Sequence, residues 1–240
     1  MQSLENIMLI TDLDGTLLPS SKEISAADAA AISQFRAKGG KFAIATGRTL
    51  QAAQRYLNKL KPNIPVILFN GAAIYDPVTE KWLYTEKLPA DAVAVTRQVL
   101  DAFPDVSAEI LRTDGTYVAR MTPYEKEHLE ICQVEPILAE PEEIPEGWLK
   151  VLFAIAPERM PDLIAYLQRK TGTVQTLYSR RLAFMKCCPR VQPKAAHCGD
   201  TGRCAAQRTG KSQQRGTLTM TWKCSVPLTS APARQMHSLV

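Results

Sequence analysis

The run Ile7-Met8-Leu9-Ile10 limits what this chain can fold into more than any other feature, because it ends at once in Thr11-Asp12-Leu13-Asp14-Gly15-Thr16-Leu17. Four apolar residues closed by turn-formers, with no helical spacing, read as a short buried strand from Asn6 to Asp12. Two carboxylates then leave its carboxyl end, where ligand sites of open α/β sheets form.

The pattern repeats downstream. Ser25 reads as the N-cap of an Ala-rich helix that stops at Gly39-Gly40. Lys41 to Ala45 reads as a second strand, about Leu50 to Leu60 as a helix, and Val66 to Phe69, introduced by Pro65, as a third strand. Strands alternating with helices predict an α/β fold, a doubly wound, parallel, Rossmann-like sheet. From Asp76 the order changes to hairpin-like strand pairs. Helices are expected around Asp91–Phe103, Tyr124–Cys132 and Arg159–Lys170, with an apolar strand at Leu149–Ala156. That is an inserted α+β domain, and Leu182 to Met185 is expected to begin the return to the first sheet. The division expected is a core over 1–75, an insert over 76–181, and a return to the core from 182.

Charge shows where this order stops. Residues 1–184 hold 20 Lys/Arg and 23 Asp/Glu, whereas residues 185–240 hold nine basic residues against Asp200 alone, together with five of the six cysteines. No period of either kind runs through this last stretch, so from about 185 that part of the core is expected to be missing or disordered. The apolar content of 45% and the absence of long apolar runs fit a soluble protein without membrane or nucleic-acid partners. The short opening run leads into acidic residues, unlike a signal peptide, and implies a cytoplasmic protein. Oligomeric state is left open.

The chemistry rests on the Asp pair. Two Asp two residues apart at a strand end can share one hard cation while one attacks phosphorus. The bland alternative is an Asx turn closing a strand, and the whole string after an apolar strand argues against it. Asp12-Leu13-Asp14-Gly15-Thr16-Leu17 resembles the signature of the haloacid dehalogenase superfamily. Ala45-Thr46-Gly47-Arg48 and Phe69-Asn70-Gly71-Ala72, each closing a strand, resemble the corresponding elements of its Cof-like branch, subfamily IIB. The resemblance covers residues 1 to about 185. It implies Asp12 as nucleophile, Asp14 as general acid/base, and Mg2+ held by Asp12 and Asp14. Thr46, Gly47, Arg48 and Asn70 would bind phosphate and substrate, and the insert would serve as a cap over the site. The substrate implied is a small phosphorylated metabolite: a sugar phosphate, nucleotide or cofactor phosphate. Thr113-Asp114-Gly115-Thr116 repeats some of the letters without an apolar strand before it, and reads as a hairpin turn.

The family's remaining elements are a Lys, often followed by Gly, and an apolar strand ending in GDxxND. Lys194 stands at about the right distance but precedes Ala195, and Gly199-Asp200 follows Ala-Ala-His-Cys, a poor strand. Codons built from the last base of one triplet and the first two of the next give a different text. Met185-Lys186 then forces Glu and Cys187-Cys188 forces Leu; Pro193-Lys194-Ala195 allows Lys-Gly. Arg215 to Ser225 allows Gly-Asp-x-Tyr-Asn-Asp-Val-Glu-Met-Phe, with the second Asp and the Glu forced. A frame shift near Met185 is therefore expected. The rival readings are a catalytically defective homologue, a phosphomutase of related build, a basic nucleic-acid-binding tail, and a zinc cluster of Cys187, Cys188, His197, Cys198 and Cys204. The tail lacks interleaved aromatics, and the cysteine spacing fits no paired-ligand knuckle.

Overall fold

The computed structural model describes residues 3–171 and, beyond them, the backbone of four strands. The chain parts into two compact units: residues 1–48, 53–84 and 191–240 form one, and residues 49–52 and 85–190 the other.

In the first unit, β1 (Ile7–Asp12), β2 (Lys41–Ala45) and β3 (Val66–Leu68) run parallel. Between them lie α1 (Ala26–Ala37) and α2 (Leu50–Leu60). The α/β alternation expected from the sequence is the one observed. Ser25 caps α1 by accepting a hydrogen bond from the Asp28 amide at 3.0 Å. At the other end Gly39, at φ +87°, lets the chain reverse. The Gly39 and Gly40 amides donate to the Arg36 and Phe35 carbonyls, a Schellman closure that aims the chain into β2. β2 and β3 are apolar on both faces, as a parallel strand covered on both sides must be, with Phe42, Ala43, Ile44, Val66, Ile67 and Leu68 all buried.

Two differences from the sequence reading have physical causes. The third strand ends at Leu68, because Phe69 and Asn70 both take left-handed backbone angles and turn the chain back. The residues that follow, β4 (Ala73–Asp76), pair antiparallel with β3 and are mostly buried, and β5 (Lys81–Thr85) is the next neighbour. This hairpin therefore extends the first sheet, and the compact-unit boundary falls at Thr85 rather than near 76.

The second unit holds α3 (Ala92–Ala102), β6 (Ser107–Leu111), β7 (Thr116–Ala119), α4 (Pro123–Cys132), β8 (Ile137–Leu138), β9 (Lys150–Ile155) and α5 (Met160–Thr171). It also holds β10 (Gln175–Tyr178) and β11 (Ala183–Cys187). Its sheet runs β10-β11-β9-β6-β7-β8. β6 and β7 form the hairpin expected around Asp114-Gly115, closed by the Arg112 amide donating to the Gly115 carbonyl at 3.0 Å. Val99, Leu100, Leu163 and Leu167 from α3 and α5 pack with Val151, Phe153 and Ile155 of β9, all at or near zero exposure. β11, expected to return to the first sheet, pairs antiparallel with β9 and β10 here. Its apolar residues marked it for burial. Its sheet is the one whose partner strand ends only a few residues upstream, where loop closure is least costly.

On the far side of β1, the first sheet continues with β12 (Ala205–Arg208) and β13 (Met220–Lys223), β13 antiparallel to β1. The rest of 188–240, on which the missing or disordered return to the core was expected, lies outside the described residues. Among the described residues no helix is long and apolar enough to cross a membrane.

Candidate active site

Register brings the three strand ends of the first unit into line. Asp12, the last residue of β1, pairs with Ala45, the last of β2, and Ala45 pairs with Ile67. The next residue on β2, Thr46, donates its amide to the Ile67 carbonyl at 2.9 Å. Beyond Asp12, Leu13 is sealed in the core, which turns the carboxylates on either side of it outward. Leu18, also buried, donates its amide to the Leu13 carbonyl at 2.8 Å. The Gly15 amide returns to the Leu18 carbonyl at 3.2 Å, and Gly15 takes φ +81° to allow it. The string after the strand is thus a closed turn pinned by two core leucines.

Its two carboxylates are held differently. Asp12 accepts the Leu13 amide on Oδ1 at 2.8 Å. Partial removal from water pushes its carboxyl above the usual range; the Leu13 bond opposes this, and the neighbouring Asp14 charge adds to it. For Asp14, desolvation acts upward, but two cations outweigh it. Arg48 donates Nε to Oδ2 at 2.8 Å and Nη2 to Oδ1 at 2.9 Å, and Lys22 donates Nζ to Oδ1 at 2.8 Å. They hold Asp14 down at about 2, ionised at any physiological pH.

The loops after β2 and β3 are knitted together. The Phe69 amide donates to the Arg48 carbonyl and the Asn70 amide to the Thr46 carbonyl, each at 3.1 Å. Phe69, Asn70 and Gly71 stand at φ 51°, 60° and 96°, three left-handed residues in succession. Asn and Gly tolerate this region, whereas Phe does so at a cost of about 1–2 kcal/mol that the surrounding bonds offset. The Thr46 side chain is buried, and its Oγ1 accepts the Arg48 amide at 3.3 Å. A methyl on Gly47 would stand 2.6 Å from the Asn70 Oδ1, so the Asn70 side chain can hold its place only beside a glycine. Gly47→Ala is expected to push the Asn70 amide aside and destabilise the first unit by about 1–3 kcal/mol in urea unfolding. Adding Asn70→Ala should recover part of the loss, so the double variant would fall short of the sum.

Asp12, Asp14, Thr46, Gly47, Arg48 and Asn70 thus gather at one sheet end, whereas Lys194 lies outside the described residues. So do Cys188, His197, Cys198 and Cys204 of the cysteine–histidine set weighed for zinc. Sequence reasoning missed Lys22 and Tyr56, which complete the arrangement around Asp14. Neither lies in a motif: Lys22 looks like a solvated turn residue, and Tyr56 like one more apolar position of a helix.

For a metal ion the fit is partial. The Asp pair offers hard oxygen donors of the kind that suit magnesium. Among the described residues, however, no group of three or more His, Cys, Asp or Glu is placed to hold a metal. The buried Asn70 Oδ1 has no hydrogen-bond partner, an acceptor available to an arriving donor.

The profile of the haloacid dehalogenase-like hydrolases matches residues 9–190. The chain is 30% identical over 125 residues to the 5-amino-6-(5-phospho-D-ribitylamino)uracil phosphatase YitU of Bacillus subtilis, which is 51% of this chain and 44% of that relative. The chain therefore spans under half the length of that relative. Among solved structures, a haloacid dehalogenase-like hydrolase from Bacteroides thetaiotaomicron superposes with a TM-score of 0.68 at 19% identity, covering 77% of this chain and 71% of the other. The subclass IIB sugar phosphatase BT4131 does so with a TM-score of 0.59 at 20% identity, covering 76% and 70%. On the matched residues, the fold and the two carboxylates at the end of β1, this chain belongs to the haloacid dehalogenase-like hydrolases.

Proposed function

We propose that the chain is built as a magnesium-dependent phosphatase that hydrolyses small phosphorylated metabolites through a phosphorylated Asp12. What carries this reading is the alignment of Asp12, Asp14 and the Thr46 side chain at adjacent strand ends, with Arg48 beside them. Asp12 attacks phosphorus, the bond to the leaving oxygen breaks, and Asp14 delivers a proton to that oxygen. The resting Asp14 is ionised. It takes up that proton from solvent water or from the monoprotonated ester, as the incoming phosphate charge offsets Lys22 and Arg48. A water then attacks the acyl phosphate and gives its proton to Asp14, and the Asp12–phosphorus bond breaks to release inorganic phosphate. The Thr46 hydroxyl and the Arg48 guanidinium orient the phosphate.

Magnesium, held by the Asp12 carboxylate and the Asp14 main-chain carbonyl, would supply Lewis-acid stabilisation of charge building on the phosphoryl oxygens. The unit of residues 85–190 would act as the cap that excludes water and contributes substrate contacts. Acid quenching during turnover of a radiolabelled phosphate ester is expected to leave label on Asp12. Label elsewhere, or hydrolysis undiminished in Asp12→Asn, would overturn the mechanism.

A second reading, a homologue that binds phosphate esters but turns them over poorly, is favoured by one observation. The described residues offer no third carboxylate for the metal. Phosphate binding by calorimetry with no labelled Asp12 would select it.

A further inference from the structure

We propose that Tyr56, outside every motif, is a positioning residue for the acid–base carboxylate: it sets the place of both cations that hold Asp14. The inference rests on the functional reading above. Tyr56 is on α2, 3% exposed, with its ring in the core and its hydroxyl reaching the loop that follows the Asp motif. That hydroxyl donates to the Lys22 carbonyl at 3.1 Å. Lys22 sits at φ 57°, a left-handed angle that a lysine rarely adopts unaided, and its amide closes a turn onto the Pro19 carbonyl at 2.9 Å. One turn further along α2, Lys59 donates Nζ to the Ile24 carbonyl at 2.8 Å, so the loop is tied to the helix at two points. From this anchored backbone the Lys22 side chain reaches back to Asp14 Oδ1.

The same Tyr56 ring carries the other cation. The Arg48 guanidinium lies over it, 5.2 Å from the centroid, and from there makes its two bonds to Asp14. Stacking fixes the plane of a guanidinium, and a fixed plane fixes the carboxylate that pairs with it through two bonds. The ring therefore positions Arg48, and the hydroxyl positions Lys22. An Asp side chain has two free torsions, and a proton-transferring carboxylate must hold both within narrow limits. The two cations supply that restraint, and Tyr56 is the element they share.

The two parts of the side chain can be separated. Tyr56→Phe keeps the ring, with Arg48 and Arg55 over it, but removes the hydroxyl that donates to the Lys22 carbonyl and accepts from Arg55, whereas Lys22→Met removes the ammonium directly. The first measurement needs no catalysis: the side-chain ammonium resonance of Lys22, followed by proton–nitrogen correlation on the full chain at low temperature. It is expected to be shifted and slowed in exchange in the parent chain, and to move to the free-lysine position in Tyr56→Phe. An unchanged resonance would overturn the proposal. The second is a cycle of Tyr56→Phe, Lys22→Met and the double variant, read as kcat and KM for p-nitrophenyl phosphate. Tyr56→Phe is expected to lower kcat by about threefold to tenfold with KM little changed, and to have no further effect when Lys22→Met is already present. Equal effects in both backgrounds, or a change in KM alone, would mean that Tyr56 only packs the core. If the parent chain neither hydrolyses the ester nor binds phosphate, the phosphatase reading fails, while the resonance still decides the place of Tyr56.

Discussion

A chain re-encoded with its reading frame restored after Met185 is expected to hydrolyse p-nitrophenyl phosphate with magnesium roughly a thousandfold faster than the chain as it stands. The described first unit carries the residues proposed as nucleophile, acid–base carboxylate and phosphate-orienting loops, but no group of three or more His, Cys, Asp or Glu placed to hold a cation. The family match stops at residue 190, and the likeness to the Bacteroides hydrolase covers 77% of the chain. The end of the family match falls close to the place where charge and cysteine content change. The shifted codons allow Lys-Gly and a run with two Asp and a Glu, of which the second Asp and the Glu are forced, groups that would neutralise the phosphoryl charge and complete the metal's ligands. Losing such preorganised charge costs about a hundredfold to a thousandfold per group. The checks are resequencing of the codons for Leu182 to Val240 and a side-by-side assay of both chains. Turnover at ordinary enzymatic rates by the chain as it stands would show that the site needs nothing from the restored frame.

The second large effect concerns the second unit, whose unfolding free energy is expected to fall by about 2–4 kcal/mol between about pH 6 and pH 9. Between α4 and the sheet lie Glu109 and Ser107 of β6, Glu125, His128 and Cys132 of α4, and, on the same sheet face by strand alternation, Lys150 of β9. Glu125 is fully buried, and the Ser107 hydroxyl and the His128 charge offset only part of the cost of ionising it there. Burial first, and then the Glu109 charge, push it up to about 8. His128 stands 3.3 Å from Glu109. Burial lowers it, but hydrogen bonds with Cys132 and Glu109 raise it to about 10.

Both folded-state values lie above the unfolded ones, so the folded unit binds more protons across this range. Stability then declines as pH rises, for Glu125 between its ordinary value and about 8, and for His128 between its ordinary value and about 10. Urea unfolding at a series of pH values, followed by the fluorescence of buried Trp148, measures the slope. Glu125→Gln is expected to flatten the part below pH 8 and to leave the part above it, which belongs to the His128–Glu109 pair. A stability that rises over this range would refute the assignment.

Much of this architecture could be read in the chain because the reading rested on local signals. The Ser25 cap, the Gly39-Gly40 stop and the apolar strands at Lys41 and Leu149 act over a few residues, and each appears within a residue or two of its expected place. Partner choice is not local. Nothing in Ala183–Cys187 says which sheet it joins, and nothing in Ala73–Asp76 says that the hairpin belongs with β3; both depend on which neighbouring edge is near and unpaired. The site divided along the same line. The Asp pair, Thr46, Arg48 and Asn70 were legible because their spacing from strand ends is short and regular. Lys22 and Tyr56 were not, because a helix residue and a turn residue 34 positions apart meet only once the sheet has formed.

The succession Phe69-Asn70-Gly71 also has a use as an instrument. Since the amides of Phe69 and Asn70 close onto the carbonyls of Arg48 and Thr46, their hydrogen exchange registers whether the loop after β2, proposed to bind phosphate, is shut. Two backbone signals in an ordinary amide spectrum would therefore serve as a built-in gauge of the loop's occupancy, readable during ligand titration without label, substrate turnover or an introduced probe.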